Sequence, residues 1–420
     1  MILSNISVPL LGMVDTGVTG HLDDAAYLGA VAIGSTIFGF LYTSVNFLRM
    51  GTTGIAAQRF GAHDYDGLRV VLGQAIIVAF VIALLLISAQ SPLRQMSLSL
   101  LGPEPLIGSY ADEYFRIRIW SAPATLGGYA LIGWFIGLQN ARIPLVIVLV
   151  TNVVNIVLDL WFVMGLGMKV AGVAVASVIA EYTGLAVGLT FALLELRRHG
   201  GRWLWPKLTR ISEYKAFVAV NGHLFARTLA LMFTFTFVTA QGARMGGLIL
   251  AANAVLMNFQ NLLAFALDGL AHAAEALVGK AVGARNKAAL EESVRLTLRW
   301  SLIVALAFCG FFFLFGPLLI DLLTSLPDVR EAALRYLPWM ILSPVVSVWP
   351  FLYDGVFVGA TRAREMRDSM VVSTIVVFLP SWYLLQPLGN HGLWLAFSIF
   401  MASRGITMHL YFKRRVLPSL

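Results

Sequence analysis

The sequence predicts an all-α integral membrane protein of twelve transmembrane helices in two repeated halves, and three observations lead to this fold class. Hydrophobic residues make up 59% of the 420 residues and charged residues only 12%, a balance that does not suit a water-exposed surface. The apolar residues occur in stretches of about 20, the length with which an α-helix crosses about 30 Å of hydrocarbon. Finally, one set of loop motifs occurs twice along the chain.

Turn residues and charged clusters divide the apolar stretches into two groups of six. We expect an N-terminal lobe at 1–194, a cytoplasmic linker at 195–215 and a C-terminal lobe at 216–420. The predicted spans are 1–20, 27–48, 68–90, 114–137, 142–164 and 170–194 in the first lobe, and 216–240, 246–270, 296–318, 332–358, 368–388 and 391–412 in the second.

The distribution of Lys and Arg predicts the topology. Most of these residues lie in the loops after even-numbered spans, in the linker and near the C-terminus. Because positively charged loops stay in the cytoplasm, we expect these loops and both termini to be cytoplasmic. The net charge of +8 is therefore explained by topology and does not indicate binding to nucleic acid.

An internal repeat relates the two halves. The segments "GLQNAR" (Gly137–Arg142) and "GATRAR" (Gly359–Arg364) lie 222 positions apart, and the same spacing relates Tyr114 to Tyr336, Gly133 to Gly355 and Gly167 to Gly389. Six spans per half is an even number, so both halves enter the membrane in the same direction and are related by an axis along its normal. Two such bundles around a central cleft are typical of an alternating-access transporter.

Ionisable residues inside the predicted spans are the main candidates for function, because an unpaired charge in the hydrocarbon is costly. Buried charges of this kind mark ion or substrate pathways, or they form structural pairs. The acidic residues are Asp15, Asp159, Glu181, Asp268, Glu275 and Asp354, and the possible counter-charges are Arg49, Arg227 and Arg404.

Asp15 in span one and a polar stripe in span five form the predicted ion-coupling site. Asn152, Asn155 and Asp159 lie on one face of a helix, and Ser177 in span six is a possible hydroxyl ligand. If the stripe faces Asp15, two carboxylates share one site. They cannot both ionise cheaply in a low dielectric, so the site can take up H⁺ or Na⁺ reversibly. A hydrogen-bonded helix contact is the alternative.

The second lobe has a less specific acidic pattern. Asp268, His272 and Glu275 lie at i, i+4 and i+7, a spacing that suits a metal ion or a proton relay but is also common in structural networks. Asp354, in "FLYDGVFVGA", is a candidate for contact with a cationic substrate or for a second proton site.

Aromatic and methionine side chains offer apolar and cation–π contacts to flat, lipophilic cations. Phe38 in span two and Met257 in span eight join Asp268, Glu275 and Asp354 as candidate substrate contacts. Most aromatic residues in such spans pack against lipid or against neighbouring helices, which is the alternative for both side chains.

Catalytic motifs are absent from the sequence, which has no GxxxxGK[ST], HExxH or GxSxG segment. We therefore expect no enzyme activity, no cofactor and no metal site, and energy from an ion gradient. The single cysteine, Cys309, excludes an intrachain disulfide.

With its "PLLGMVDTGVTGHL", "NIVLD" and "FVGATRAREMRDSM" segments, the sequence resembles the multidrug and toxic compound extrusion (MATE) family, in its DinF-type branch. The resemblance implies two six-helix lobes in a V, and export of organic cations or amphiphilic drugs in exchange for H⁺ or Na⁺. It also implies that Asp15 is the main protonation site, with Asn155, Asp159 and Ser177 as partners. A monomer in the bacterial inner membrane is expected.

Two other functions remain open from the sequence. A lipid-linked oligosaccharide flippase of the same superfamily would line its cleft with basic residues to bind a diphosphate. A membrane scaffold or enzyme without transport activity is the third possibility, although the missing catalytic motifs and the intramembrane carboxylates argue against it.

Overall fold

The computed structural model describes residues 24–419, and within this range all regular secondary structure is helical. The first eight α-helices are α1 (Ala25–Val45), α2 (Phe47–Gly61), α3 (Tyr65–Ser88), α4 (Gln90–Leu101), α5 (Pro105–Arg118), α6 (Ala122–Gly137), α7 (Arg142–Asp159) and α8 (Lys169–His199). The others are α9 (Trp205–Thr209), α10 (Lys215–Arg244), α11 (Gly247–Gly283), α12 (Lys287–Leu323), α13 (Pro327–Gly359), α14 (Ala363–Val371), α15 (Leu379–Leu385) and α16 (Gly389–Tyr411).

Irregular helical turns interrupt or extend several of these helices. Within residues 24–419, π-helical segments occupy Leu160–Gly165, Val372–Phe378 and Phe412–Val416. Tighter 3₁₀ turns occupy Ile119–Ser121, Ile211–Tyr214, Gln386–Leu388 and Leu417–Ser419. A π segment marks a local departure from the regular hydrogen-bond ladder and is frequent at functional positions.

Ten helical stretches in residues 24–419 are long and apolar enough to cross a membrane. The last of them, Ala363–Val416, has 54 residues and contains the 3₁₀ turn Gln386–Leu388, so it holds predicted spans eleven and twelve. Predicted span 1–20 lies outside the described residues. The predicted all-α membrane fold is confirmed for the other spans.

Several helices extend well beyond the apolar stretches that predicted them. Helix α11 ends at Gly283, whereas the hydropathy pattern predicted an end near residue 270. Hydropathy reports only the part of a helix that lies in hydrocarbon, and a helix continues past this boundary wherever polar residues still favour it.

The chain divides into two compact units, the first ending at Phe217 and the second beginning at Val218. In the first unit, α2 and α3 pack on α6, and α7 packs on α8, around a core that includes Leu131, Trp134 and Phe135. In the second unit, α11, α12 and α16 pack on α13, around a core that includes Phe312 and Trp394.

The outward faces of the helices are apolar. Leu84 on α3 is 60% exposed, Leu314 on α12 is 69% exposed and Leu384 on α15 is 80% exposed. Large apolar side chains at such exposure are unfavourable in water but match a lipid environment, where the backbone polar groups are satisfied within each helix.

The repeat of the sequence is reproduced in the backbone at two helix crossings. A Cβ atom on Gly137 would lie 2.9 Å from the backbone nitrogen of Ala57, and one on Gly359 would lie 2.9 Å from that of Gly279. Gly137 and Gly359 are 222 positions apart, and so are the facing residues Ala57 and Gly279. Each unit therefore uses glycine to bring two helix backbones into contact.

The loops repeat in the same way. Pairs of residues 222 positions apart share the left-handed backbone conformation, with φ between 52° and 66°: His63 and Arg285, Gln139 and Thr361, and Gly167 and Gly389. An Asx N-cap is repeated as well, because the Asp64 side chain accepts from the Gly67 N–H and the Asn286 side chain accepts from the Ala289 N–H, at 2.8 and 2.9 Å. The two halves therefore share backbone geometry as well as sequence motifs.

We expect Gly137→Ala to destabilise the first unit by about 1–3 kcal/mol, because the added methyl group overpacks the α2–α6 crossing. Thermal unfolding of the purified protein in detergent measures the change. Gly128→Ala on the same helix is the matched control, since a Cβ there has no heavy atom within 4 Å of it. Equal melting temperatures for the two variants would contradict the proposed role of the crossing.

Candidate functional site

Three of the four predicted coupling residues come together in the first unit. Asp159 and Asn155 on α7 are 0% and 1% exposed, and Ser177 on α8 is 4% exposed. The Nδ2 atom of Asn155 donates to the Oγ atom of Ser177 over 3.4 Å. The fourth residue, Asp15, lies outside the described residues.

Helix α7 turns its polar face inward and its apolar face outward. Val153 and Val157 are each 57% exposed, while Asn155 and Asp159, one turn apart, are buried. This pattern is the inverse of a water-soluble amphipathic helix and is expected for a helix that borders lipid. Asn155 and Asp159 therefore lie in the interior of the first unit, whereas Asn152 of the same stripe is half-buried.

Two glycines on α8 allow close packing against α7. A Cβ on Gly188 would lie 3.1 Å from Cδ1 of Ile147, and a Cβ on Gly184 would collide with the Oγ1 atom of Thr151. Small residues four positions apart are a common device for bringing membrane helices together. The contact places Ser177, two turns before Gly184, opposite Asn155.

Asp159 is the last residue of the regular α-helix. The chain continues directly into the π-helical segment Leu160–Gly165. Because the hydrogen-bond pattern changes at this point, the backbone next to the buried carboxylate is less tightly constrained than the middle of a helix.

A second polar group in the first unit contains an arginine that the sequence analysis missed. The Nη2 atom of Arg118 lies 3.4 Å from Oε1 of Glu181, and Arg118 also donates to Ser121. Tyr42 shares Ser121 through a 2.7 Å hydrogen bond between hydroxyl groups. The guanidinium carbon lies 5.9 Å from the ring centre of Phe38.

The sequence placed Arg118 at the end of a span because hydropathy began that span at residue 114. Helix α5 begins at Pro105, after a glycine in the left-handed conformation at Gly102, and the helical stretch continues through the 3₁₀ turn to Gly137, so Arg118 lies well inside this stretch. Gly followed by Pro at the first helical position is a recognised helix boundary. That signal could have located the arginine.

Phe38 lies in the interior of the first unit. It is 3% exposed and packs on Phe115 and Tyr42, with ring centres 5.1 and 5.5 Å apart. Its aromatic face is therefore already occupied by neighbouring rings and by Arg118.

The second unit contains a buried charge cluster of Arg227, Asp354 and Arg404. The Oδ2 atom of Asp354 accepts from Nη2 of Arg404 over 2.9 Å and also from Nη2 of Arg227. Asp354 and Arg227 are each 8% exposed and Arg404 is 2% exposed. One carboxylate therefore connects α10, α13 and α16 through charge-assisted hydrogen bonds.

The other candidates of the second unit lie on α11. Asp268 interacts electrostatically with Arg404, Glu275 is 2% exposed, and Met257 packs on the apolar core of the unit. In the part of the chain that the structure describes, no three His, Cys, Asp or Glu side chains are arranged to hold a metal ion.

The MatE family model matches residues 1–161 and again residues 224–384, one match in each repeat. The chain belongs to the MatE family. The matches explain why two halves of similar backbone geometry stand in one chain. They confirm the family resemblance seen in the sequence segments, and membership makes this MatE protein a multi-pass membrane transporter and not an enzyme.

Individual relatives agree with this assignment. DNA damage-inducible protein F of Escherichia coli (strain K12) is 44% identical over 416 residues, covering 99% of this chain and 90% of that protein. The probable multidrug resistance protein NorM of Halalkalibacterium halodurans is 24% identical and covers 97% of this chain and 91% of its own length. A crystal structure of MATE in complex with MaD3S has a TM-score of 0.89 and 20% identity, and covers 100% of this chain and 95% of that one.

We expect Asp354→Asn to destabilise this MatE protein by about 3–5 kcal/mol, because it leaves two buried guanidinium groups without their carboxylate. Thermal unfolding in detergent measures the loss. Asp321→Asn is the control, since that carboxylate is 53% exposed and pairs with Arg330 at the surface over 3.3 Å, where an ion pair contributes about 0–1 kcal/mol. Similar effects of the two substitutions would contradict a structural role for the cluster.

Proposed function

We propose that this MatE protein is a secondary active efflux transporter that exports organic cations or amphiphilic drugs in exchange for H⁺, with Na⁺ as the second candidate ion. The observation that carries the proposal is the complete burial of Asp159 beside Asn155 and Ser177, next to the π-helical segment of α7. No cofactor takes part in this mechanism.

A buried carboxylate in a membrane lobe supports ion coupling for an electrostatic reason. The ionised form is costly in a low dielectric, so the site favours either a proton or a bound cation. Asn155 and Ser177 offer one amide oxygen and one hydroxyl oxygen near the carboxylate. The Asp159 carboxylate can bind a proton by itself, whereas a Na⁺ ion would also need the Ser177 hydroxyl oxygen, which already accepts from Asn155, so we favour H⁺.

Asp15 completes the proposed site. With two carboxylates in one pocket, a proton and a cationic drug compete for the same negative charge, and binding of one weakens binding of the other. This competition is the physical basis of antiport: proton entry expels the drug, and proton release restores the site. The assignment of Asp15 rests on its place in the sequence.

Asp354 has a different role in this proposal. Its Oδ2 atom already accepts from two guanidinium groups, whose positive charge repels an organic cation. We therefore assign Asp354 to the stability of the second unit, and we place the contact with a cationic drug at the carboxylates of the first unit.

The same pairing argues against the flippase function. A diphosphate would need guanidinium groups whose N–H donors are free to bind it, and the buried Arg118, Arg227 and Arg404 each donate to a carboxylate. The distribution of Lys and Arg supports a topology in which both termini are cytoplasmic. We propose the bacterial inner membrane as the location. The two repeats in one chain suffice for alternating access, so we propose that the monomer is the transporting unit.

We expect Asp15→Asn and Asp159→Asn to abolish pH-driven efflux of ethidium from proteoliposomes while the protein stays folded, because neither amide can exchange a proton. Asp328→Asn, an exposed carboxylate at the start of α13, is the control and should transport like wild type. Comparing a pH gradient with a Na⁺ gradient identifies the coupling ion. Full pH-driven efflux by Asp159→Asn would contradict the proposed site.

Ser177→Ala tests the contribution of the hydroxyl group. We expect roughly fivefold slower pH-driven efflux, the effect of losing one hydrogen bond of about 1 kcal/mol. The melting temperature should change little, because alanine fills the same helical position. Unchanged efflux would show that Ser177 is only a packing residue.

A further inference from the structure

A basic cavity lies at one end of the second unit. Its volume is about 530 Å³, and it is formed by the start of α10, the loop before α14, the first turn of α14 and the chain segment after α16. The charged or polar side chains that line it include His223, Arg362, Arg364, Glu365 and Arg415. We call this cavity the basic pocket.

The basic pocket has an excess of positive charge. Arg362 lies 3.8 Å from Glu365, the only carboxylate among the lining residues. Arg364 and Arg415 are exposed, and neither forms an ion pair with another residue in the described range 24–419. The guanidinium of Arg415 lies 5.4 Å from the ring centre of Tyr411, which restricts its position. Two arginine forks therefore remain available to an anion.

His223 contributes a neutral donor to the basic pocket. Its Nδ1 atom lies 3.0 Å from Nη1 of Arg367, and Arg367 is itself held by Oδ1 of Asp368 at 2.9 and 2.5 Å. A guanidinium can only donate, so Nδ1 must accept, and the ring proton is on Nε2. The Nε2–H group of His223 can therefore serve as a hydrogen-bond donor at the basic pocket.

Helix α14, which starts at the basic pocket, lacks a side-chain cap that its counterpart in the first repeat, α7, has. In the first unit, Asn140 stands before α7, and its Oδ1 atom accepts from the backbone N–H groups of Arg142 and Ile143 at 3.2 and 3.3 Å. The position 222 residues later is Arg362, which supplies no side-chain cap to α14. Arg362 therefore carries a positive charge at the position where Asn140 provides a hydrogen-bond acceptor in the first repeat. The N-terminus of α14 favours negative charge.

We propose that the basic pocket binds a phosphate group, and that the source of this group is the head of an anionic phospholipid. Arginine forks and a helix N-terminus are the usual partners of phosphate oxygens. The cavity is in the size range of pockets that hold whole organic groups. Basic pockets between membrane helices, on the side that carries the positive loops, bind lipid head groups.

Thermal unfolding of the full chain in detergent micelles tests the proposal, with dioleoyl phosphatidylglycerol titrated in one arm and inorganic phosphate in the other. Phosphatidylcholine and sodium chloride at matched ionic strength are the reference additions. The pocket variant is Arg364→Gln with Arg415→Gln. The matched control is Lys413→Gln with Arg414→Gln, which removes the same charge from exposed side chains of the same segment, outside the pocket.

We expect phosphatidylglycerol to raise the melting temperature of wild type and control equally. The pocket variant should need an about tenfold higher lipid concentration for half of the effect, since two charge-assisted contacts are lost. A matching response to inorganic phosphate would assign the site to a soluble phosphate compound. Equal responses of pocket variant and control, or no response of wild type to either addition, would overturn the proposal.

Discussion

The close approach of helix backbones at glycine is the constraint on which the rest of each unit depends. Inside a bilayer, apolar side chains gain little by leaving lipid, so helices associate through close contact and hydrogen bonds. At Gly137 and Gly359, and at Gly133 and Gly355, a Cβ atom would meet the backbone of the facing helix. These crossings recur at one sequence spacing, and they fix how closely α2 packs on α6 and α11 packs on α13.

The two units share backbone geometry but differ in their buried polar side chains. Asp159 corresponds by the repeat to Ser381, and Asp354 corresponds to Ile132. The first unit therefore has a buried carboxylate with an amide and a hydroxyl, while the second has a carboxylate already neutralised by two arginines. Because of this difference, we assign ion exchange to the first unit. We assign the charge cluster of the second unit to folding stability.

Much of this organisation could be predicted from the sequence, because hydropathy and the repeated loop motifs are local signals. The stripe of Asn155 and Asp159 was predicted from helical spacing alone; both side chains are buried, and their role in ion coupling stays a prediction. The pairing of Asp354 could not be predicted, since its partners lie 127 and 50 positions away on other helices and their meeting depends on the rotation of each helix. Arg118 was missed because hydropathy does not detect the polar turns with which α5 begins.

Proton release on drug binding is the direct test of whether exchange takes place at the carboxylates of the first unit. Ethidium is added to folded, weakly buffered protein in detergent, and a pH indicator records the protons released. We expect release by wild type and by the folded fraction of Asp354→Asn, and none by Asp159→Asn. Release that persists in Asp159→Asn but is lost in Asp354→Asn would contradict this expectation.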